Sequence, residues 1–171
     1  NTLLDVIIPP IYGPLEDLAV PDVSSCHPGN LALLWLASGD NRKAGYLLQR
    51  FVLALFYFET SGPDWDYSND WLSSSNECLW LGVQCNSNSA INGIALDTNN
   101  IHGTIPTEFG LLQGLEGVSM TRNHLRGTIP TELFSLPGLH DLWLYSNELN
   151  GPIPPEIGNA SNLKSLRLSK N

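Results

Sequence analysis

The amino-acid sequence predicts an α/β solenoid, in which short parallel strands stack behind a helical N-terminal segment. Three observations support this prediction. Residues 91–171 repeat with a period of 24, apolar residues recur at fixed positions of every repeat, and residues 29–59 carry apolar residues at helical spacing. A repeat of this length forms one small structural unit, which can bury its apolar face only by stacking on its neighbours.

Four repeat units are present, the last running for nine residues, and they begin at Ile91, Leu115, Leu139 and Leu163. The first, fourth and sixth positions are always apolar: Ile91, Ile94, Leu96, Leu115, Val118, Met120, Leu139, Leu142, Leu144, Leu163, Leu166 and Leu168. Their alternation predicts a short strand with one buried face. The ninth position is always Asn, whose amide can satisfy backbone groups at the turn after the strand. The pattern indicates leucine-rich repeats with a parallel sheet on the concave face.

A Gly-x-Ile-Pro motif recurs at Gly103–Pro106, Gly127–Pro130 and Gly151–Pro154. The Gly suits a turn with unusual dihedral angles, and the Pro lies on the convex side, where no ladder donor is missed. On these residues, the repeats resemble the plant-type class of leucine-rich repeats, known from receptor-kinase ectodomains and polygalacturonase-inhibiting proteins. The resemblance covers residues 91–171 and implies a non-catalytic binding protein.

Residues 60–90 resemble the N-terminal cap of that class, with the segment W-L-S at 71–73 followed by C-L-W-L-G-V-Q-C at 78–85. Such a cap covers the open sheet edge and the open core end of a solenoid. The resemblance implies a disulfide between Cys78 and Cys85 and therefore an oxidising compartment. Cap packing is the main expectation for three tryptophans, with ligand contact as the alternative: Trp65, Trp71 and Trp80.

Two helices are predicted within residues 29–59. Asn30 can cap a short one that ends near Ser38, and a longer one is predicted from about Asn41 to Glu59. The upstream segment is more similar to repeat proteins of diatom-type algae than to land-plant receptors.

Residues 1–28 contain several Pro and no periodicity, which predicts an extended N-terminal arm. The arm is apolar, so it should either pack on its own helices or dock on a partner. Cys26 is then left over, either free and buried or paired with a cysteine outside this chain.

Composition and motifs argue against several functions. The net charge of −9 disfavours nucleic acid and anionic membrane surfaces as partners. The longest apolar run, Phe51–Phe58, is far shorter than the roughly 20 residues of a membrane-spanning helix. No nucleophile elbow, phosphate-binding loop or zinc-protease motif occurs. We therefore predict no catalytic residues, no cofactor, no metal and no direct membrane insertion by this segment.

A binding surface is predicted on the concave sheet. Because Leu142 and Leu144 occupy buried positions, Trp143 and Tyr145 should point outward. An aromatic pair flanked by arginines has the composition of an interface hot spot and also suits stacking on a sugar ring; incidental exposure is the alternative. The predicted binding residues are Trp143, Tyr145, Arg122, Asp141, Arg167, Ser119 and Thr121.

Two predictions concern the other faces. Asn159-Ala160-Ser161 is a glycosylation acceptor sequence, so Asn159 is a predicted glycosylation site on the convex side. His102 and His124 fall at different repeat positions, which predicts that they do not stack.

These features favour a protein- or glycan-recognition or adhesion module, secreted or displayed as an ectodomain; an oxidising organelle lumen is the alternative location. Two alternative functions are a structural subunit held in a larger membrane-associated assembly through residues 1–25, and an inhibitor of cell-wall hydrolases. The sequence stops at Asn171, inside the fourth repeat and without a closing segment, which predicts that the natural protein continues.

Overall fold

The computed structural model describes residues 27–38 and 47–171. The predicted contacts of the arm, the state of Cys26 and the start of the second predicted helix lie outside the described residues.

Two helices precede the repeats: α1, Pro28–Ser38, and α2, Leu47–Glu59. The prediction that Asn30 caps α1 is wrong, because the helix begins at Pro28 and Asn30 lies within its first turn. Instead, His27 Nδ1 accepts a hydrogen bond of 3.2 Å from the backbone N–H of Gly29. A ring nitrogen thus replaces the amide oxygen that the sequence pattern favoured.

The concave sheet has five strands, in the order β1 Val83–Cys85, β2 Ile91–Ala95, β4 Gly117–Ser119, β6 Asp141–Trp143 and β8 Ser165–Arg167. The last four strands are parallel, and each residue pairs with the equivalent residue of the next unit. Ile94, Val118 and Leu142 therefore lie side by side. Strand β1 pairs antiparallel with β2 and covers the free edge of the first repeat, as expected of a cap.

A second sheet of three short parallel strands lies where the chain leaves the concave strands. It consists of β3 His102–Gly103, β5 His124–Gly127 and β7 Glu148–Leu149, and we call it the lateral sheet. Its register is offset by two positions: the twelfth position of one unit pairs with the tenth of the next. His102 therefore pairs with His124, and Arg126 pairs with Glu148.

Three of the four ninth-position asparagines, Asn99, Asn123 and Asn147, are buried, and they connect successive units as predicted. Asn123 donates from Nδ2 to the carbonyl oxygens of Leu96 (2.8 Å) and Met120 (3.1 Å). Its Oδ1 accepts from the backbone N–H groups of Asn99 (2.9 Å) and Ile101 (3.1 Å). The eighth residue of each unit has a left-handed backbone that turns the chain inward before the Asn, with φ of 53–60° at Thr98, Arg122, Ser146 and Lys170.

The cap has an aromatic interior. Trp65 and Trp71 make an edge-to-face contact with ring centroids 4.9 Å apart, and Trp71 lies 5.3 Å from Trp80. All three tryptophans are buried, in agreement with their predicted packing role. Tyr57 lies beside this cluster, where partial burial and, secondarily, the charge of Asp64 raise its pKa.

A buried ion pair and a disulfide hold the cap loop. Arg50 on α2 contacts Glu77 at 3.1 Å, and its guanidinium lies 5.2 Å from the ring of Trp35 and 5.1 Å from that of Trp80. Its Nη atoms also donate to the carbonyl oxygens of Ser73 and Ser75. The disulfide between Cys78 and Cys85 is present as predicted. Within the described ranges, no helix is both long and apolar enough to cross a membrane.

Candidate functional site

Rows of equivalent residues cross the concave face, because the repeat strands are parallel and in register. The third positions form the row Gly93, Gly117, Asp141 and Ser165, and the fifth positions form the row Ala95, Ser119, Trp143 and Arg167. In both rows, small side chains in the first two units give way to large or charged ones in the third.

Four of the predicted binding residues come together in one cluster. The guanidinium carbon of Arg167 lies 4.3 Å from the ring centroid of Trp143, and that of Arg122 lies 5.9 Å from the ring centroid of Tyr145. Trp143 Nε1 also donates a 2.8 Å hydrogen bond to Ser165 Oγ. We call these four residues the aromatic–arginine cluster. Both rings are half-buried rather than fully exposed, because neighbouring side chains cover part of their surface.

Ser119 and Thr121 support a carboxylate that the sequence analysis did not single out. Asp97 Oδ1 accepts hydrogen bonds from Ser119 Oγ (2.6 Å), Thr121 Oγ1 (2.9 Å) and the Thr121 backbone N–H (2.7 Å). Thr121 is only 3% exposed, so its hydroxyl is committed to Asp97. The structure thus places Asp97 at the surface, with Thr121 beneath it as a positioning residue.

Asp141, the remaining predicted residue, borders an open groove beside the cluster. The groove has a volume of about 250 Å³ and extends from Gln84 on β1 to Trp143 on β6. His140 lies between two carboxylates at one margin, with Nδ1 2.9 Å from Asp141 Oδ2 and Nε2 3.9 Å from Glu116 Oε2. The described residues of the concave face therefore combine an acidic groove with an aromatic–arginine cluster.

The prediction for His102 and His124 is wrong. Their rings stack with centroids 4.7 Å apart and planes inclined by 9°, and His124 Nδ1 lies 3.0 Å from Glu148 Oε1. The offset register of the lateral sheet brings different repeat positions together. No group of three or more His, Cys, Asp or Glu side chains within residues 27–38 and 47–171 is arranged to hold a metal ion.

Comparison with known proteins supports the repeat fold. A family model described as Leucine Rich Repeat matches residues 138–160. A chain of the BIR3–SERK2 complex from Arabidopsis thaliana is similar, with 33% identity, a TM-score of 0.52, and coverage of 62% of this chain and 57% of that one. No curated protein matches the sequence.

Two further solved structures are similar over comparable parts of the chain. The ectodomain of the receptor kinase GASSHO1/SCHENGEN3 from Arabidopsis thaliana has 35% identity and a TM-score of 0.56, covering 60% of this chain and 13% of that one. A plant ice-binding protein has 27% identity and a TM-score of 0.63, covering 68% and 38%. This chain thus spans little more than half of the matched BIR3–SERK2 chain and less of the other two.

The stacked parallel strands, the buried asparagines and the capped first strand define a leucine-rich repeat solenoid. The chain has the leucine-rich repeat fold with a helical and disulfide-bonded N-terminal cap, and its similarity to plant ectodomains is consistent with a plant-type leucine-rich repeat protein.

Proposed function

We propose that this chain is a non-catalytic recognition module whose concave face binds another protein or a glycan. The aromatic–arginine cluster is the observation that carries the proposal. Aromatic and arginine side chains contribute a large share of binding energy at interfaces, particularly where they are fixed and partly desolvated.

Contacts within the protein hold the side chains of the cluster in place without a ligand. Trp143 is held by its hydrogen bond to Ser165 and by the guanidinium of Arg167, which restricts its side-chain rotation. A ligand that binds a fixed side chain loses less conformational entropy on association than one that must order it. The planar guanidinium groups also suit the binding of carbonyl, carboxylate or sugar hydroxyl oxygens at the margin of the rings.

The relatives add support for a protein partner. The BIR3–SERK2 structure is itself a protein complex, and the GASSHO1/SCHENGEN3 ectodomain was solved with CASPARIAN STRIP INTEGRITY FACTOR 2. The four parallel strands are three to five residues long, so they offer no more than roughly 300 Å², whereas a standard interface takes about 800 Å² per partner. We therefore infer that the concave face binds a small ligand or only one part of a larger one.

We place the module outside the cell or at its surface, reached through the secretory pathway. The Cys78–Cys85 disulfide is compatible with an oxidising compartment. Asn159 is exposed at the end of a convex 3-10 segment, Pro155–Asn159, where a glycan would leave the concave face clear. Binding through residues 1–25 in a larger assembly and inhibition of cell-wall hydrolases stay as predictions.

The test screens the full 171-residue chain against a displayed library of random dodecapeptides and against a glycan array. For each ligand recovered, Trp143→Ala and Tyr145→Ala should each weaken binding by at least tenfold, with the unfolding temperature nearly unchanged. The matched control is Tyr67→Ala, because Tyr67 is an exposed aromatic residue of the cap that contacts Asn99 through its backbone. Equal binding by wild type and both concave variants, or no ligand in either screen, would overturn the proposal.

A further inference from the structure

We propose that the acidic groove beside the aromatic–arginine cluster binds a lysine or arginine side chain of an extended polypeptide segment. This inference rests on the proposed recognition function and names the ligand chemistry of its site.

The groove exists because two neighbouring repeats carry small residues where the third carries large ones. Gly93 and Gly117 form one row of its floor, and Ala95 and Ser119 form the other. A Cβ atom at Gly117 would have no neighbour closer than 4.0 Å, so open space lies directly above the backbone there. At Gly93, by contrast, a Cβ atom would lie 2.8 Å from Gln84 Oε1, so the Gln84 side chain covers that end of the floor. A ligand can therefore approach the sheet closely at Gly117.

The walls of the groove differ in chemistry from its floor. Gln84 on the capping strand lies at one end, and Trp143 with Asp141 lies at the other. Three steps of about 4.8 Å between strands give a length of about 14 Å, which matches about four residues of an extended polypeptide. The shape therefore suits a short extended segment that crosses the strands.

The charge of the groove is negative. The Glu116 and Asp141 side chains are 49% and 35% exposed, and within the described chain the ionic contacts of these two carboxylates are with His140. Asp97 does not line the groove, but it places a third carboxylate beside it, because Asp97 Oδ1 accepts a 2.6 Å hydrogen bond from the lining residue Ser119. No lysine or arginine is among the residues that line the groove.

Along the third- and fifth-position rows, the sign of the charge changes across Trp143. The groove with its carboxylates lies on the side of the first two repeats, whereas Arg167 covers the Trp143 ring from the fourth. A basic ligand side chain would therefore find carboxylates and an aromatic wall in the groove, and repulsion beyond it. Charge complementarity thus favours a cation in the groove.

A titration with short peptides tests the groove directly. Acetylated and amidated Gly-Gly-Arg-Gly-Gly should produce saturable chemical-shift changes at the Gly93 and Gly117 amides and the Trp143 indole of the full chain. The double variant Glu116→Gln/Asp141→Asn should weaken this binding at least fivefold. Ala95→Trp should weaken it similarly, because position five already accommodates Trp143 two units further along and the new ring would fill the groove.

Glu108 and Glu132 lie at equivalent positions of two convex 3-10 segments, Thr107–Leu111 and Thr131–Ser135. The matched control is Glu108→Gln/Glu132→Gln, which removes the same charge away from the groove. The inference is overturned if this control weakens binding as much as the groove variant, or if the corresponding Glu peptide binds equally well. It is also overturned if a glucosamine trimer shifts the groove signals and the Arg peptide does not, because the ligand would then be an amino sugar.

Failure of this inference is distinguishable from failure of the proposed function. If ligands from the peptide screen lose affinity on Trp143→Ala but not on the groove double variant, recognition by the cluster stands and the groove inference falls. If they lose affinity only on the groove double variant, the groove is supported and the role of the cluster falls.

Discussion

The cap, residues 27–38 and 47–90, and the repeats, residues 91–171, solve the problem of burial in different ways. The cap interior combines packed aromatic rings with one buried ion pair, and each of these contacts occurs once. The repeat interior is largely aliphatic, and its asparagine contacts recur every 24 residues. Stability is therefore concentrated in a few residues of the cap and distributed along the repeats.

Where the two regions meet, cap residues make the hydrogen bonds that a preceding repeat would otherwise make. Asn99 exchanges hydrogen bonds with the backbone of Tyr67, at 2.6 and 2.8 Å. Gln49 on α2 accepts from the backbone N–H of Ile91 at 2.7 Å through its side-chain oxygen. Residues of the cap thus pair with the hydrogen-bonding groups of the first repeat, whereas the equivalent groups of later repeats pair with the repeat before or after them.

The largest expected effect tests the concentration of stability in the cap. Arg50→Met leaves the Glu77 carboxylate buried without its cation, and we expect the free energy of unfolding to fall by about 3–5 kcal/mol. Urea denaturation of the full chain measures the change. The double variant Arg50→Met/Glu77→Leu should recover much of the loss, and a fall below about 1 kcal/mol in the single variant would contradict the comparison.

The next effect concerns the covalent link of the cap. Replacing Cys78 and Cys85 together by Ser opens a loop of eight residues, which should cost about 2.5 kcal/mol of unfolding free energy by the chain-entropy relation. Urea denaturation without reductant measures it, and the wild type with reductant is the control. Equal stability of the oxidised and reduced wild type would show that the loop is held without the disulfide.

The smallest effect tests the distributed stability of the repeats. Asn123→Ala removes donors and acceptors that serve buried backbone groups of two units, and we expect a loss of about 2 kcal/mol. Asn147→Ala should cost a similar amount, because Asn147 makes corresponding bonds one unit later. The exposed Asn171 provides the contrast, and a larger loss there than at Asn123 would contradict the distributed picture.

Periodicity predicted most of the repeat fold. A fixed 24-residue spacing determines which residues are equivalent, and equivalent residues stack, so the burial of Leu142 and the ladder through Asn123 follow from the pattern. The position of the disulfide came instead from the resemblance of the cap segment to known caps. The outward direction of Trp143 followed from strand alternation, but the partial cover by Arg167 depends on side-chain torsions that alternation does not specify.

Other features could not be predicted from the repeat pattern alone. The stacking of His102 on His124 requires the offset register, which an alignment of equivalent positions hides. Thr121 and Asp97 occupy the same position of neighbouring units, but the pattern does not specify that the Thr121 hydroxyl donates to the Asp97 carboxylate. His27 caps α1 through a ring nitrogen, which lies outside the usual set of capping groups.

The offset of the lateral sheet also determines how such a protein can be recombined. A cassette cut at the conventional repeat boundary separates each twelfth-position residue from its partner in the next unit, as with Arg126 and Glu148. A cassette that runs from the eleventh position of one unit to the tenth of the next, such as residues 125–148, carries both partners with it. Duplication or exchange of that segment keeps Arg126 and Glu148 together, whereas the adjacent pair of Gly127 with Leu149 then forms across its end.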